Sequence, residues 1–341
     1  MIGPDRRSIR DIAFSGDTIA FMDYSFTVYR SFDAGKNWES LPNVGLGRPL
    51  LFHDGALWTA TYEALRSIRH DSNVWEQRST SNSLPLFPIN LVPRGENFLL
   101  GEAGGIQLWN HSTGEIRPFT TGWNDHQIQS IVMIEDSVVV GTSYGLYITG
   151  DAKNWQRRGG PFGLGVANLV ADGNILYTTT TDTVYTSSDY GMTWQSHAID
   201  PGNPVFPGPI VPLHDNVGLV SGQTVYISDD HGKTWQDFPV PVPTILGSLA
   251  GSGDTLFTSS SNLQNQLFRS FNGGVSWQSF SLNNNKAQTY LLRYANNVLY
   301  VGTRQHGLYR SLDLGTDRSE LPSLLHRGRL SNGCGSTECI W

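Results

Sequence analysis

Five acidic residues stand where carboxylate chemistry could be assembled. Two carboxyl groups about 5–10 Å apart can cleave a glycosidic bond, one as acid and the other as base or nucleophile. The candidates come from five separate parts of the chain, so a pair can act only if the fold brings it together. They are Asp23, Glu63, Glu102, Asp125 and Asp182. The sequence therefore admits a glycoside hydrolase or lyase without assigning its catalytic residues.

Aromatic and cationic residues accompany these carboxylates. Such mixtures suit sugar rings, which present an apolar C–H face and a rim of hydroxyls, and they suit a peptide or protein surface equally well. Ordinary polar loop tips have the same composition, which is the alternative at each position. The ligand-binding candidates are Tyr24, Tyr62, Glu63, Glu102, Trp123, Asp125, His126, Tyr144, Arg158, Asp182, Arg304 and His306.

Several other chemistries have no support in the residue pattern. The chain shows no Ser-His-Asp order, no phosphate-binding loop and no run of metal ligands, so we expect no cofactor and no metal. Its net charge is −7, and it has no long basic run. Nucleic acid is therefore not an expected partner.

The elements that would position these residues are organised around one repeated turn, Ser228–Trp235 (SDDHGKTW). Close copies stand at Ser31–Trp38, Ser187–Trp194 and Ser270–Trp277. Each copy has an Asp or Asn, one residue, Gly, two residues and Trp. The pattern predicts a turn closed by its own side chains.

The residue types explain the turn. Asp230 can accept backbone N–H bonds from the residues after it, as in Asx-type turns. Gly232 supplies a positive φ, and Thr234 adds a hydroxyl. An alternating stretch precedes the turn at 224–227, and Trp235 is predicted to begin the next strand. The unit is a hairpin.

The turn recurs at a nearly fixed period. The steps from Trp155 to Trp194, Trp235 and Trp277 are 39, 41 and 42 residues. Degenerate copies, in which some consensus positions are lost, complete the series at Ser67–Trp75, Trp109–Ile116, Gly150–Trp155 and Ser311–Arg318. Repeats of this length are typical of propellers and solenoids, and eight units can be counted.

The turn resembles the Asp-box motif S-x-D-x-G-x-T-W of bacterial-neuraminidase-type repeats. Sialidases, Asp-box xyloglucanases, sortilin-like domains and photosystem-assembly propellers carry it, and the resemblance extends over roughly residues 8–322. It implies that the boxes are structural and that ligands bind on the other face. The structural positions would be Asp33, Asp71, Asp151, Asp189, Asp230, Asn272 and Asp313.

The catalytic members of these families fit less well. A sialidase would have an Arg-Ile-Pro start and three substrate-clamping arginines, whereas the first unit reads Ser8-Ile9-Arg10-Asp11-Ile12. Asp-box xyloglucanases use two propellers, and this chain accounts for one. The resemblance therefore favours a binding role over catalysis, while the question of enzyme activity stays open.

Each unit reads as four strands, which predicts an all-β propeller of four-stranded antiparallel blades. Eight blades are favoured, and seven is the alternative if unit two or three is misread. We expect the propeller to occupy residues 1–322, a tail to occupy 323–341, and the ring to close through side-chain packing.

Composition supports this architecture. Charged residues make up 16%, with 37 Gly and 10 Trp. No apolar stretch is long enough to cross a membrane, and the start lacks the apolar region of a signal peptide. Either the protein is cytosolic or a signal has been removed, in which case a secreted or extracytoplasmic location is favoured. Cys334 and Cys339 could form a small disulfide loop or remain free thiols.

The sequence thus predicts a non-catalytic binding or scaffold propeller that holds a glycan or protein partner on the face opposite the boxes. The alternatives are a glycosidase or lyase with a carboxylate pair near the central channel, and an accessory protein that works through its C-terminal tail. The ligand and the oligomeric state are not predicted.

Overall fold

The computed structural model describes most of the chain. The described residues are 9–61, 64–79, 90–102, 105–120, 127–151, 153–160, 166, 168–180, 182–199, 208, 210–261, 266–282, 288–304, 306–312 and 314; only the backbone is described for Arg48, Glu102 and Tyr290. The predicted tail at 323–341, with both cysteines, lies outside these residues. Its boundary with the propeller therefore stays a prediction.

Within the described residues, thirty-one strands form eight antiparallel sheets, which are numbered as blades in chain order. Blades 1 to 4 contain β1 (Ile9–Ser15), β2 (Thr18–Asp23), β3 (Val28–Ser31), β4 (Glu39–Ser40); β5 (Gly47–His53), β6 (Ala56–Thr61), β7 (Leu65–Arg69), β8 (Glu76–Gln77); β9 (Asn90–Arg94), β10 (Asn97–Glu102), β11 (Gly105–Trp109), β12 (Ile116–Pro118); and β13 (Ile128–Ile134), β14 (Ser137–Thr142), β15 (Gly145–Thr149), β16 (Gln156–Arg158).

Blades 5 to 8 contain β17 (Val170–Asp172), β18 (Ile175–Thr179), β19 (Thr183–Ser187), β20 (Gln195–Ala198); β21 (Val211–Pro212), β22 (Val217–Ser221), β23 (Thr224–Ser228), β24 (Gln236–Pro239); β25 (Leu246–Ser252), β26 (Thr255–Ser260), β27 (Leu267–Ser270), β28 (Gln278–Phe280); and β29 (Gln288–Ala295), β30 (Val298–Arg304), β31 (Leu308–Ser311). In each sheet the strands pair in sequence order. The fourth strand predicted for blade 8, at 317–321, lies outside the described residues.

This architecture confirms the predicted eight-bladed propeller and excludes the seven-bladed alternative. The core formed by the described residues is divided into eight apolar clusters, and each cluster lies between two neighbouring blades. The cluster between blades 8 and 1 includes Ile9 and Phe21 from one blade with Tyr300 and Leu308 from the other. Side-chain packing between the first and last blades therefore closes the ring.

Polar contacts reinforce this closure on one side of the ring. Arg310 and Tyr300 of blade 8 both donate hydrogen bonds to the carbonyl oxygen of Ala34 in blade 1. Asn296 donates to Asp17 over 3.4 Å. These contacts join residues more than 260 positions apart in the chain.

One predicted boundary is wrong. Trp235 was expected to begin the fourth strand of its blade, but β24 begins one residue later, and β4, β16, β20 and β28 also begin directly after the Trp of their boxes. The Trp235 indole helps to close the turn, because its Nε1 donates to the carbonyl oxygen of Gly232 over 3.2 Å. The Trp therefore belongs to the turn.

Over the described ranges, the chain forms no helix of the length and apolar character that crossing a membrane requires.

Candidate functional site

The ring has two faces of different construction. The boxes connect the third and fourth strands of their blades, and they hydrogen bond to the turns between first and second strands, as in Ala34 N–H to Asp17 O (2.9 Å) and Gly273 N–H to Asp254 O (3.0 Å). We call this side the Asp-box face. The links between blades meet the turns between second and third strands on the other side, as in Val240 N–H to Gln223 O (2.9 Å). We call that side the linker face.

The box of blade 6 shows how the turn is held. The Ser228 hydroxyl donates to Asp230 Oδ1 (2.8 Å) and accepts from the N–H of Gly232 (2.7 Å). Asp230 also accepts the Thr234 N–H (2.9 Å) and the Thr234 hydroxyl (2.6 Å), which leaves its carboxylate occupied by the turn. Charge-assisted bonds of this kind are stronger than neutral ones.

Other boxes repeat this network with substitutions. Asp33 and Asp189 accept bonds from the residue four positions later, over 2.8 and 2.9 Å. Asn272 does the same with its amide oxygen, while its amide nitrogen donates to Ser276 (2.9 Å). A neutral amide therefore fits where the other boxes have a carboxylate.

The degenerate copies close their turns in other ways. In blade 4, Asp151 accepts the Asn154 N–H (2.8 Å), and Thr149 takes the place of the box serine. In blade 2, the Ser72 hydroxyl, next to Asp71, donates to the carbonyl oxygen of Val74 (3.3 Å) and accepts the Val74 N–H (3.1 Å). The box position Asp313 lies outside the described residues.

The boxes of blades 1, 5 and 6 bend more sharply than the sequence predicted. We expected the positive φ at Gly alone, but the residue before it is left-handed as well, at φ 53° for Ala34, 59° for Tyr190 and 62° for His231. Left-handed backbone is unfavourable for residues with a Cβ, so the box network stabilises a strained conformation.

Four box carboxylates, those of Asp33, Asp151, Asp189 and Asp230, remain ionised to low pH. Burial raises the pKa of the Asp230 carboxyl, but hydrogen bonds from Thr234, Ser228 and Lys233 outweigh it and lower the pKa to about 2. The same balance lowers the pKa of Asp33 and Asp189. At Asp151 the backbone hydrogen bonds dominate and lower the pKa further. Carboxyls held this way are poor proton donors, so general-acid chemistry is not expected at the boxes.

We predict that Asp230→Asn lowers the free energy of unfolding by about 1 kcal/mol at neutral pH. The folded pKa lies below the ordinary value of 3.8, so this stabilisation is present above pH 3.8 and is lost as pH falls toward about 2. Urea unfolding of both proteins between pH 7 and pH 2 checks this. A difference that stays constant across that range would contradict it.

Among the aromatic rings that the structure describes on the linker face, the most exposed belongs to the blade 1 turn after β2. Tyr24 is 58% exposed, and the Arg10 guanidinium lies 5.6 Å from its ring and 4.5 Å from that of Phe26. Asp23 is buried beneath it, and its Oδ1 accepts the N–H groups of Ser25 (2.8 Å) and Thr27 (3.0 Å). The carboxylate fixes the turn that displays the ring.

Other predicted residues are spread around the linker face. Tyr144 is 45% exposed in the blade 4 turn, and its carbonyl oxygen accepts a bond from Arg157 (3.1 Å). Arg158 ends β16, where it pairs with Leu146. Asp182 is exposed in blade 5 and accepts the hydroxyl of Thr183 (2.9 Å).

Blade 8 contributes two more candidates. Arg304 is exposed at the end of β30, and His306 is half-buried in the turn that follows. Glu102 ends β10 and pairs with Gly105. Tyr62, Glu63, Trp123, Asp125 and His126 lie outside the described residues, so their places in the site stay predictions. Of the five acidic candidates, the two with described side chains, Asp23 and Asp182, stand in different blades.

A set of β-bulges at the start of five inner strands was missed. Five of the first strands shift register at the same depth: β1, β5, β13, β25 and β29. These strands begin at the linker face, so the bulges of blades 1, 2, 4, 7 and 8 lie along part of the entrance of the channel. The signal was present as buried apolar residues three positions apart, such as Ile9 with Ile12 and Ile128 with Ile131. Bulges redirect side chains and are frequent at barrel rims and binding sites.

The part of the chain that the structure describes contains no candidate metal site. No three His, Cys, Asp or Glu side chains gather there to hold an ion.

The fold and the repeated turn define the class of protein: an eight-bladed β-propeller built on Asp-box turns. A family model described as BNR/Asp-box repeat matches residues 226–237, the turn of blade 6 with its flanking residues. The chain therefore carries a BNR/Asp-box repeat. No curated protein sequence matches it.

Solved structures with the same fold are distant in sequence. The designed protein Ika8 aligns with a TM-score of 0.69 at 12% identity, over 89% of this chain and 96% of its own. BamB from Moraxella catarrhalis gives 0.62 at 13%, over 88% and 95%. YCF48 bound to D1 peptide gives 0.56 at 14%, over 90% and 94%. At these identities the likeness concerns the fold alone.

Proposed function

We propose that this protein is a non-catalytic binding or scaffold module that holds a partner on its linker face. The observation that carries the proposal is the contrast between the two faces. The box carboxylates are occupied by their own turns, whereas the linker face displays an exposed Tyr24 on a turn fixed by a buried carboxylate. An aromatic ring that stays exposed on a rigid turn is a common anchor in binding sites.

Further exposed apolar side chains on the same face support this role. Tyr144, Leu46 and Ile245 are 45%, 41% and 46% exposed, in blade 4 and in the links after blades 1 and 6. Together with Arg304 and Asp182 they give the linker face a mixed aromatic, aliphatic and charged composition. That composition suits a protein or peptide partner, and the aromatic rings also suit a glycan. The propeller of YCF48, which shares the fold, has been solved with a peptide bound.

The test is a glycan array and a peptide array probed with the labelled full chain, followed by affinity measurements on the hits. Tyr24→Ala is expected to weaken binding about tenfold or more, because the ring stands at a fixed and exposed position. Met192→Ala is the matched control, since Met192 is 62% exposed on the Asp-box face. Equal losses in the two variants would overturn the proposal, as would binding to neither array.

Hydrolysis assays on aryl glycosides separate this proposal from the glycosidase or lyase alternative. We expect no turnover. Turnover that Glu63→Gln or Asp125→Asn abolishes would replace the binding role with catalysis by a carboxylate pair.

A further inference from the structure

The box of blade 7 contains a chemical feature that no other box shares. Its Asp position is occupied by Asn272, and the next residue is Gly273. An asparagine followed by glycine is prone to lose its side-chain amide, because glycine has no Cβ to shield its backbone nitrogen. Asn272 is exposed, so water reaches it. The chain has one other Asn-Gly pair, Asn332-Gly333, which lies outside the described residues.

The reaction replaces ammonia by water in two steps. The backbone nitrogen of Gly273 attacks Cγ of Asn272, the new C–N bond closes a succinimide ring, and the amide group leaves as ammonia with the proton of that nitrogen. Water then opens the ring. Breaking the new bond gives aspartate, whereas breaking the original peptide bond gives isoaspartate, in which the backbone runs through Cγ. No oxidant or reductant takes part.

The folded turn holds both reacting groups in other bonds. Oδ1 of Asn272 accepts the Ser270 hydroxyl (2.9 Å) and the Ser276 N–H (2.9 Å), and Nδ2 donates to the Ser276 hydroxyl oxygen (2.9 Å). The attacking nitrogen, that of Gly273, donates to the carbonyl oxygen of Asp254 (3.0 Å). The ring can close only after these bonds open, so the reaction depends on local opening of the box.

The aspartate product fits the same turn. In blade 1, Asp33 accepts the hydroxyl of the box serine (2.8 Å) and the N–H four residues later (2.8 Å). The next residue, Ala34, donates to the carbonyl oxygen of Asp17 (2.9 Å), as Gly273 donates to that of Asp254. Blade 1 therefore already combines a box carboxylate with an aspartate in the facing turn, which is the arrangement that deamidation would create in blade 7.

The aspartate product is also expected to hold the turn more firmly. In blade 6 the Thr234 hydroxyl donates to the Asp230 carboxylate over 2.6 Å. In blade 7 the Ser276 hydroxyl instead accepts from the Asn272 amide over 2.9 Å. A carboxylate at 272 lets the Ser276 hydroxyl donate, and hydrogen bonds to a charged acceptor are shorter and stronger. Isoaspartate lengthens the backbone and moves the carboxylate onto the α carbon, so it cannot rebuild this network.

From these features we infer that Asn272 is a site of covalent modification by deamidation. The amide is lost when the blade 7 box opens, and closing with aspartate gives the box its consensus carboxylate. Each event adds one negative charge to a chain whose net charge is −7. The modified fraction therefore records how long the box has been open. This inference concerns the Asp-box face and is independent of the partner proposed for the linker face.

The experiment follows the amide at 272 by peptide mass spectrometry, which separates it from Asn332 and distinguishes aspartate from isoaspartate. The full chain is incubated at mildly alkaline pH, folded in buffer and unfolded in guanidinium chloride. Thermal unfolding is measured for the unaltered chain and for Asn272→Asp, which is the aspartate product made directly.

Two variants test the chemistry and the protection separately. Gly273→Ala removes the Asn-Gly pair while keeping the turn, because Ala34 has the equivalent place in blade 1 at φ 53° and Gly273 has φ 65°. The added Cβ would lie 3.3 Å from Oδ1 of Asp254, the end of an exposed side chain. Ser276→Ala removes the hydroxyl that accepts from the Asn272 amide and so loosens the closed box.

We expect the amide at 272 to be lost about thirtyfold more slowly in the folded chain than in the unfolded chain, because several hydrogen bonds must open first. Ser276→Ala is expected to speed the loss in the folded chain about fivefold. Gly273→Ala is expected to slow the loss severalfold in the unfolded chain. Asn272→Asp is expected to raise Tm by about 2 °C.

Four results would each overturn the inference. They are no loss of the amide at 272 in the unfolded chain, equal rates in the folded and unfolded chains, a rate that neither Gly273→Ala nor Ser276→Ala alters, and a Tm that Asn272→Asp leaves unchanged or lowers. None of these measurements uses a ligand, so the absence of a partner on the linker face leaves them unaffected.

Discussion

Gly232→Ala is expected to lower the free energy of unfolding by about 3 kcal/mol. Two effects add at this position. The backbone has φ +81°, which costs a residue with a Cβ about 1–2 kcal/mol. The new Cβ would also lie 2.5 Å from Thr186 Oγ1 and 2.9 Å from Tyr177 Cε1. Tyr177 is completely buried between blades 5 and 6, so relieving the overlap costs a further amount of about 1–3 kcal/mol.

Gly253→Ala separates the two effects. Gly253 also has a positive φ, +53°, but no atom lies within 4 Å of the position that its Cβ would take. Its loss is expected to be about 1 kcal/mol, from backbone strain alone. Urea unfolding of the two variants and the unaltered chain measures both. Equal losses of unfolding free energy in the two variants would show that the contact between the blade 6 box and blade 5 does not contribute to the stability of the ring.

The repeated turn made the fold predictable because its chemistry is local. Asp230, Gly232 and Thr234 lie within five residues of one another, so their hydrogen bonds can be read from spacing. The left-handed conformation of the residue before the box glycine could not be predicted from the sequence in this way. That position holds Ala34, Tyr190 or His231, and these side chains share no property that would mark it.

The candidate site was less predictable for a physical reason. The links and turns of the linker face differ from blade to blade, so the period that identifies the boxes gives no information there. The bulges at the channel entrance did have a sequence signal, but a pair such as Leu246 and Leu249 was read within an alternating strand. Which side chains share a face was predictable from topology, whereas their exposure and partners were not.

An Arg that precedes the box serine was also overlooked, because its role appears only when the next blade is in place. Arg30, Arg269 and Arg310 occupy this position in blades 1, 7 and 8. Each donates a hydrogen bond to a turn carbonyl oxygen of the following blade. In blade 5 the Thr186 hydroxyl does the same toward Gly232 over 3.2 Å. The position therefore joins neighbouring blades on the Asp-box face.

We expect Arg30→Met to lower the free energy of unfolding by about 3 kcal/mol. The Arg30 side chain is 2% exposed and forms an ion pair with Glu39 at 2.6 Å. It also donates to the carbonyl oxygens of Arg69 (2.7 Å) and Ser72 (3.0 Å) in blade 2. Methionine preserves much of the packing volume but none of these bonds, so two carbonyl oxygens and a carboxylate each lose a donor.

Arg269→Met is the matched comparison, because Arg269 has the same place in blade 7 and a weaker network. Its partner across the strand is the neutral Gln278, at 3.3 Å from Nε, and it is less buried than Arg30. Its substitution is expected to cost about 1 kcal/mol. Urea unfolding at low and high salt tests both variants. A loss at Arg30 no larger than that at Arg269 would mean that the buried ion pair with Glu39 barely exceeds the cost of its own desolvation, and that apolar packing alone joins blade 1 to blade 2.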